Sequence, residues 1–217
     1  MIPLTVSKSD SPLKILCLGA HSDDIEIGCG GTILRLIRDF RRNVAVRWVV
    51  FSSKAEREAE AVRSAHAFLR SAKTKEVTIN KFQDSFFPYQ GGEIKEYMHR
   101  LSESAAPDII FTHYRSDLHQ DHRLISELTW NAFRDNFILE YEIPKYDGDL
   151  GAPNVFVPLQ ESICRNKISY LLKYFKSQRR RPWFTADTFL AIQRLRGIEC
   201  NSRSGYAEAF YGRKLVM

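Results

Sequence analysis

Cysteine is scarce, with four in 217 residues, and Cys17, Cys29, Cys164 and Cys200 form no close Cys-x-x-Cys pair. That spacing excludes a zinc ribbon or a dithiol redox motif. We read the thiols as reduced, with Cys17 and Cys29 serving the core. No window approaches the roughly 18 apolar residues of a membrane span. The leader Met1–Pro12 carries Lys8, Asp10 and two prolines in place of the apolar stretch of a secretory signal, so a cytoplasmic location is expected. Internal repeats and low-complexity linkers are also missing, and the length favours a single domain over 1–217. A large excess of one charge sign is absent too: 32 basic and 26 acidic side chains leave +6. Dense basic residues gather only at Lys176, Arg179, Arg180 and Arg181, beside Trp183. With no binding motif around them, nucleic acid is a poor partner. The cluster can hold a phosphate on a carrier or simply complement a helix end. The 44% hydrophobic, 12% aromatic and 27% charged composition leaves no room for disorder, collagen or coiled coil.

What the chain does contain is an alternation of buried strands and amphipathic helices. Lys14–Ala20 is almost wholly apolar, as in a strand covered on both faces. A turn rich in Gly and Asp follows. From Cys29 a helix is expected, with Ile33, Leu34, Ile37 and Phe40 on one face. Strand Val44–Phe51, helix Lys54–Ala72, strand Glu76–Asn80, helix Glu93–Ser104, strand Asp108–Thr112 and a helix from His122 to about Arg134 continue the series. Such units imply right-handed crossovers and an α/β fold, a Rossmann-like three-layer sandwich on a mostly parallel sheet. After Glu140, residues Pro144, Gly148, Gly151, Pro153 and Pro158 mark a long loop. Helices around Gln160–Ser177 and Trp183–Gly197 complete the chain. The motif-bearing core is thus about 14–134, and substrate-selecting loops and helices fill about 135–217.

Three of the six histidines lie between positions 113 and 122. His21 and His113 each follow a strand, where open α/β sheets bind ligands. The first motif, Ala20-His21-Ser22-Asp23-Asp24-Ile25-Glu26-Ile27-Gly28-Cys29-Gly30-Gly31, joins an imidazole, two carboxylates and glycines that permit close approach of a bound group. The second runs from His113 to His122 and ends in His119-Gln-Asp121-His122, which puts two imidazoles on one face of a helical first turn. Catalytic zinc commonly takes three imidazole or carboxylate ligands and keeps one position for water. His21, Asp24 and His122 supply such a set, and the ion would lower the pKa of its water towards roughly 7. Asp23 would act as general base, His119 would face the substrate carbonyl oxygen, and Asp121 would orient an imidazole. Plainer readings stand beside these. His21 can cap a turn, Asp23 and Asp24 can be N-cap or loop carboxylates, and the histidine pair can be surface.

Ala-His-Ser-Asp-Asp with Gly-Cys-Gly-Gly-Thr resembles the first signature of the PIG-L/LmbE-like deacetylases, and His-Gln-Asp-His resembles their second. The likeness covers about Lys14 to Arg134, with weaker features at Ser177-Gln178 and Tyr206-Ala-Glu-Ala-Phe210. It implies a zinc-dependent hydrolase removing an N-acetyl group from an N-acetylglucosamine-type amino sugar or its conjugate, with Fe2+ or Co2+ as alternative ions. It also implies the same roles: metal ligands His21, Asp24 and His122, base Asp23, and His119 as oxyanion stabiliser or proton donor. Ser22 departs from the family's usual proline. Around the site, Arg57, His113 and Tyr114 are candidate substrate contacts, with a solvated helix face open for Arg57 and a core position for His113. Asp84 precedes Phe86-Phe-Pro-Tyr89, a wall for a pyranose ring or else core. A phosphate-bearing carrier and a homo-oligomer are both compatible with the sequence. Two other functions remain in view. A Rossmann-type nucleotide-dependent transferase would use Gly28-x-Gly30-Gly31, but that departs from Gly-x-Gly-x-x-Gly and follows two carboxylates that repel pyrophosphate. A non-catalytic sugar-binding protein would have no need to keep base and ligands together.

Overall fold

The computed structural model describes residues 10–215, so most of the leader read above lies outside the described residues. Seven strands make one sheet in the order β3-β2-β1-β4-β5-β7-β6. They are β1 Leu13–Gly19, β2 Val44–Val50, β3 Thr74–Ile79, β4 Ile109–His113, β5 Phe137–Tyr141, β6 Val155–Pro158 and β7 Ala207–Gly212. The first five are mutually parallel. β7 runs antiparallel to β5, and β6 antiparallel to β7. The helices are α1 Asp24–Asp39, α2 Ala55–Phe68, α3 Gly91–Ser104, α4 Gln120–Ala132, α5 Glu161–Tyr174 and α6 Ala186–Glu199.

Because side chains alternate across a strand, Ile15 and Cys17 enter one core with α1, α2 and α5, while Leu16 and Leu18 enter the other with α3 and α4. Both faces of β1 are therefore dry, which is why its sequence is an unbroken apolar run. The Rossmann-like three-layer sandwich is the observed architecture. The chain leaves β1 towards β2 on one side and returns at β4 on the other. This reversal of direction leaves a crevice at the carboxyl ends of β1 and β4.

Three expectations need correction. α1 begins at Asp24, five residues ahead of Cys29, so the glycines form no turn. A Cβ on Gly28 would lie 2.1 Å from the Tyr141 ring, one on Gly30 2.6 Å from Phe68, and one on Gly31 2.6 Å from Leu159. The glycines admit packing partners to the helix, and no phosphate cradle exists there. α4 begins at Gln120 with His119 as its N-cap, ahead of His122. Finally, β5, β6 and β7 stand where only loops and helices were read. Glu208 of β7 accepts the Gly31 and Thr32 N–H groups at 2.8 and 2.6 Å, and buried Lys167 of α5 donates to it at 2.7 Å. With its partners in place the buried pair is satisfied, and it docks α1 and α5 on β7. Among the described residues, no helix is long and apolar enough to cross a membrane.

Candidate active site

The parallel neighbours β1 and β4 bring together residues a hundred positions apart. His21, Ser22 and Asp23 follow β1, Asp24 opens α1, His113 ends β4, and His119 and His122 start α4. His21 Nδ1 lies 3.2 Å from His122 Nε2, and Asp24 Oδ2 lies 3.4 and 3.5 Å from those two nitrogens. Donors arranged tetrahedrally about an ion at roughly 2.0–2.1 Å are separated by about 3.3–3.4 Å. All three residues are buried, and the set fits a divalent ion in both spacing and chemistry. Two further triads lie within the same reach, His21–His119–Asp121 and His113–Asp117–His122. In each of these the carboxylate is one that orients a ring.

Those orienting carboxylates complete the site. His21 Nε2 is 3.2 Å from Asp121 Oδ2 and 3.3 Å from Asp84 Oδ1, and His122 Nδ1 is 2.9 Å from Asp117 Oδ2. Each ring therefore has one nitrogen held from outside and the other facing Asp24, the usual support for a metal-binding histidine. Asp121 is itself fixed by the N–H groups of Ser85 at 2.7 Å and Phe87 at 3.2 Å. Lys145 reaches Asp117 at 3.1 Å. Burial alone would depress His21, but Asp121, Asp24 and Asp84 outweigh it and raise its pKa well above the ordinary value. His122 is pushed down to about 4 by burial and the neighbouring His113. Burial opposes ionisation of Asp24 as well, yet His122 and His113 hold it well below the carboxylate range.

Asp23 lies beside this set. Burial raises its pKa, partly offset by Arg57, which donates to Asp23 Oδ1 at 2.6 Å. Arg57 is thus tied to Asp23 and half-buried, not on a solvated face. His119 accepts the Asp121 N–H on Nδ1 at 3.2 Å, leaving Nε2 to carry the proton of the neutral ring. Its pKa is lowered by burial and by the charge of His21, which favours that neutral form. The His119 and His21 rings meet edge to face, centroids 4.9 Å apart.

His113 has no exposed surface; its Nε2 accepts the Ala20 N–H at 2.9 Å and lies 3.2 Å from Asp24. That is a supporting position beneath the site. Tyr114 is half-buried and stacks on Tyr211 with centroids 3.8 Å apart. Ser22, at the family's proline position, donates to Ser53 beyond the end of β2 at 2.9 Å. Of the aromatic run, Phe87 is core, while Phe86 and Tyr89 are exposed. In the basic cluster, Arg179 donates to the Leu172 carbonyl at the end of α5, and Ser177 binds Glu60 of α2. Arg179 thus meets a carbonyl at the helix end, while Arg181 donates to Gln178 at 3.0 Å. Asp117, and the contact of Asp84 with His21, had no signal in the sequence beyond being acids in loops.

A cavity of about 850 Å3 opens at the amino ends of the strands between Arg42, Phe68, Lys73 and Tyr170. Its lining holds no acid, histidine or cysteine, so size there does not identify the chemistry.

Known proteins share this fold and part of this sequence. A deacetylase of Escherichia coli K12, YaiS, described as uncharacterized, is 25% identical over 175 residues, 78% of this chain and 94% of that protein. The N,N'-diacetylchitobiose deacetylase of Pyrococcus horikoshii shares the fold at a TM-score of 0.68 and 21% identity, over 93% of this chain and 84% of that one. GalB of Pseudomonas putida KT2440, a 4-carboxy-2-hydroxymuconate hydratase, shares it at 0.70 and 15%, over 94% and 97%. The fold alone therefore does not select the reaction. Residues 16–133, more than half the chain and spanning both histidine motifs, match the PIG-L family model, described as GlcNAc-PI de-N-acetylase; the chain belongs to the PIG-L family of deacetylases.

Proposed function

We propose that this protein hydrolyses the N-acetyl group of an N-acetylglucosamine-type amino sugar or its conjugate. The observation that carries the reading is the inward-facing triad of His21 Nδ1, Asp24 Oδ2 and His122 Nε2 with the Asp23 carboxylate beside it. The triad would hold a divalent ion, zinc first, with Fe2+ or Co2+ as alternatives. Such an ion supplies Lewis-acid polarisation of the acetyl carbonyl and of the attacking water.

The remaining work belongs to the side chains. Asp23 removes a proton from water as its oxygen attacks the acetyl carbon, and a carboxylate raised by burial is suited to hold that proton. Arg57 fixes Asp23 Oδ1 at 2.6 Å. His119 directs its Nε2–H to the developing oxyanion. Collapse breaks the C–N bond, releases acetate, and leaves the amine with the proton returned by Asp23. Asp121 and Asp117 hold the two ligand rings throughout. Against the transferase alternative stand the glycines of α1, whose Cβ positions are filled by Tyr141, Phe68 and Leu159.

Acetate release from a panel of N-acetylated sugars, measured on chelator-stripped and zinc-reloaded protein, tests the reading. Release that depends on the added ion supports it. Turnover that ignores metal, or tight nucleotide binding in its place, removes it.

A further inference from the structure

Eight large apolar side chains are exposed among the described residues, and five of them, Phe86, Tyr89, Leu118, Tyr146 and Leu150, stand on three loops. The same loops hold the site. Asp84 lies 3.3 Å from His21, the Ser85 N–H donates to Asp121 at 2.7 Å, and Gln120 reaches the Ser85 carbonyl at 2.8 Å. Phe86 is the next residue. Leu118 sits between Asp117, which holds His122, and His119, and its N–H donates to Asp149 at 2.7 Å. Asp149 pairs with Lys145, and Tyr146 and Leu150 flank that pair. An apolar rim is thus anchored to the residues that orient the two histidines.

Scattered exposed leucines carry no message, but a gathered set beside a site does. A second observation points the same way. Ser85 has φ 68°, a conformation that non-glycine residues rarely adopt and that persists where the surroundings impose it. Beyond this bend the chain buries Phe87 and leaves Phe86 and Tyr89 in solvent, Tyr89 at 84% exposure. Charge selects further. The acids facing these loops are Asp84, Asp117, Asp121, Asp147 and Asp149; of the nearby cations, Arg57, Lys54 and Lys145 are each paired with an aspartate, and Arg123 donates to the Leu118 carbonyl at 2.6 Å, so the acids remain in excess. An anionic carrier would meet a negative field there.

We propose that the rim selects amino sugars carrying a neutral, apolar aglycone, alkyl or aryl, which packs over Tyr89 and Tyr146. The proposal rests on the deacetylase reading and narrows its substrate class away from nucleotide-linked sugars. Covering as little as about 60 Å2 of apolar surface is worth roughly tenfold in affinity.

The test compares kcat/KM for the methyl, n-octyl and 4-methylumbelliferyl glycosides of N-acetylglucosamine, below micelle formation. It uses the metal-loaded wild type and a Tyr89→Ser/Tyr146→Ser double variant, both positions being largely exposed. The octyl-to-methyl ratio is expected to be tenfold or more in the wild type and to fall towards one in the variant. A ratio near one in the wild type, a ratio unchanged in the variant, or faster turnover of a nucleotide-linked sugar overturns the proposal. If no glycoside is turned over, calorimetric binding of the octyl and methyl glucosaminides decides separately. Tighter octyl binding lost in the variant then sustains the rim while the deacetylase reading fails, and equal binding overturns the rim as well.

Discussion

Asp117 and Asp121 perform one task on two rings: each accepts from the outward nitrogen of an imidazole and so turns the other nitrogen towards Asp24. Replacing Asp117 by Asn keeps the volume but weakens the acceptor that fixes His122. Metal affinity is then expected to fall about 10- to 100-fold, with the circular dichroism spectrum unchanged; competition against a chromophoric chelator measures it, and undiminished affinity would show that Asp117 does not hold the ring. Asp121 was legible because it lies within the His-x-Asp-His spacing. Asp117 and Asp84 were not, since an acid in a loop has no pattern and only the fold brings it to a ring nitrogen. Arg57 illustrates a different gap. The sequence placed it near the site, but its 2.6 Å contact with Asp23 depends on how α2 crosses α1.

α1 carries the densest information of any element, because its first turn holds Asp24 and its next two turns pack without side chains at three positions. Gly28→Ala would drive a Cβ to within 2.1 Å of the Tyr141 ring, and overpacking of this kind costs about 1–3 kcal/mol. Gly92→Ala in α3, where an added Cβ meets nothing within 4 Å, should instead stabilise by roughly 0.4–1 kcal/mol. Urea midpoints of the two variants should move in opposite directions; a harmless Gly28→Ala would contradict the packing described for α1. The parallel strands β1, β2 and β4 were legible as apolar runs because both their faces are dry. β5 and β7 were not, since each contains a buried glutamate, Glu140 paired with Arg213 and Glu208 with Lys167. A buried charged residue interrupts the hydrophobic pattern that marks a strand, and β6 is only four residues long and ends in Pro158.

At the scale of the whole molecule, burial of proton-bearing groups sets the alkaline limit. All four cysteines are free and buried. Burial pushes Cys164 up to about 12 and raises Cys29 and Tyr141 well above their ordinary values. Unfolded thiols ionise near 8.5. The folded state therefore binds more protons than the unfolded chain from about 9 to about 12, and the stability these groups contribute, complete below that window, is lost as pH rises through it. The urea midpoint should drop between pH 8 and pH 10.5, and a flat profile would mean these groups are exposed. In the proposed reaction the sheet, the crevice and the His21–Asp24–His122 triad act together, and Asp23 is where that proposal is most exposed to disproof. The direct measurement is acetate release and bound metal in the same preparations of wild type and Asp23→Asn. The account predicts equal metal content and turnover reduced at least about 100-fold; a variant that binds metal and turns over at the wild-type rate would contradict it.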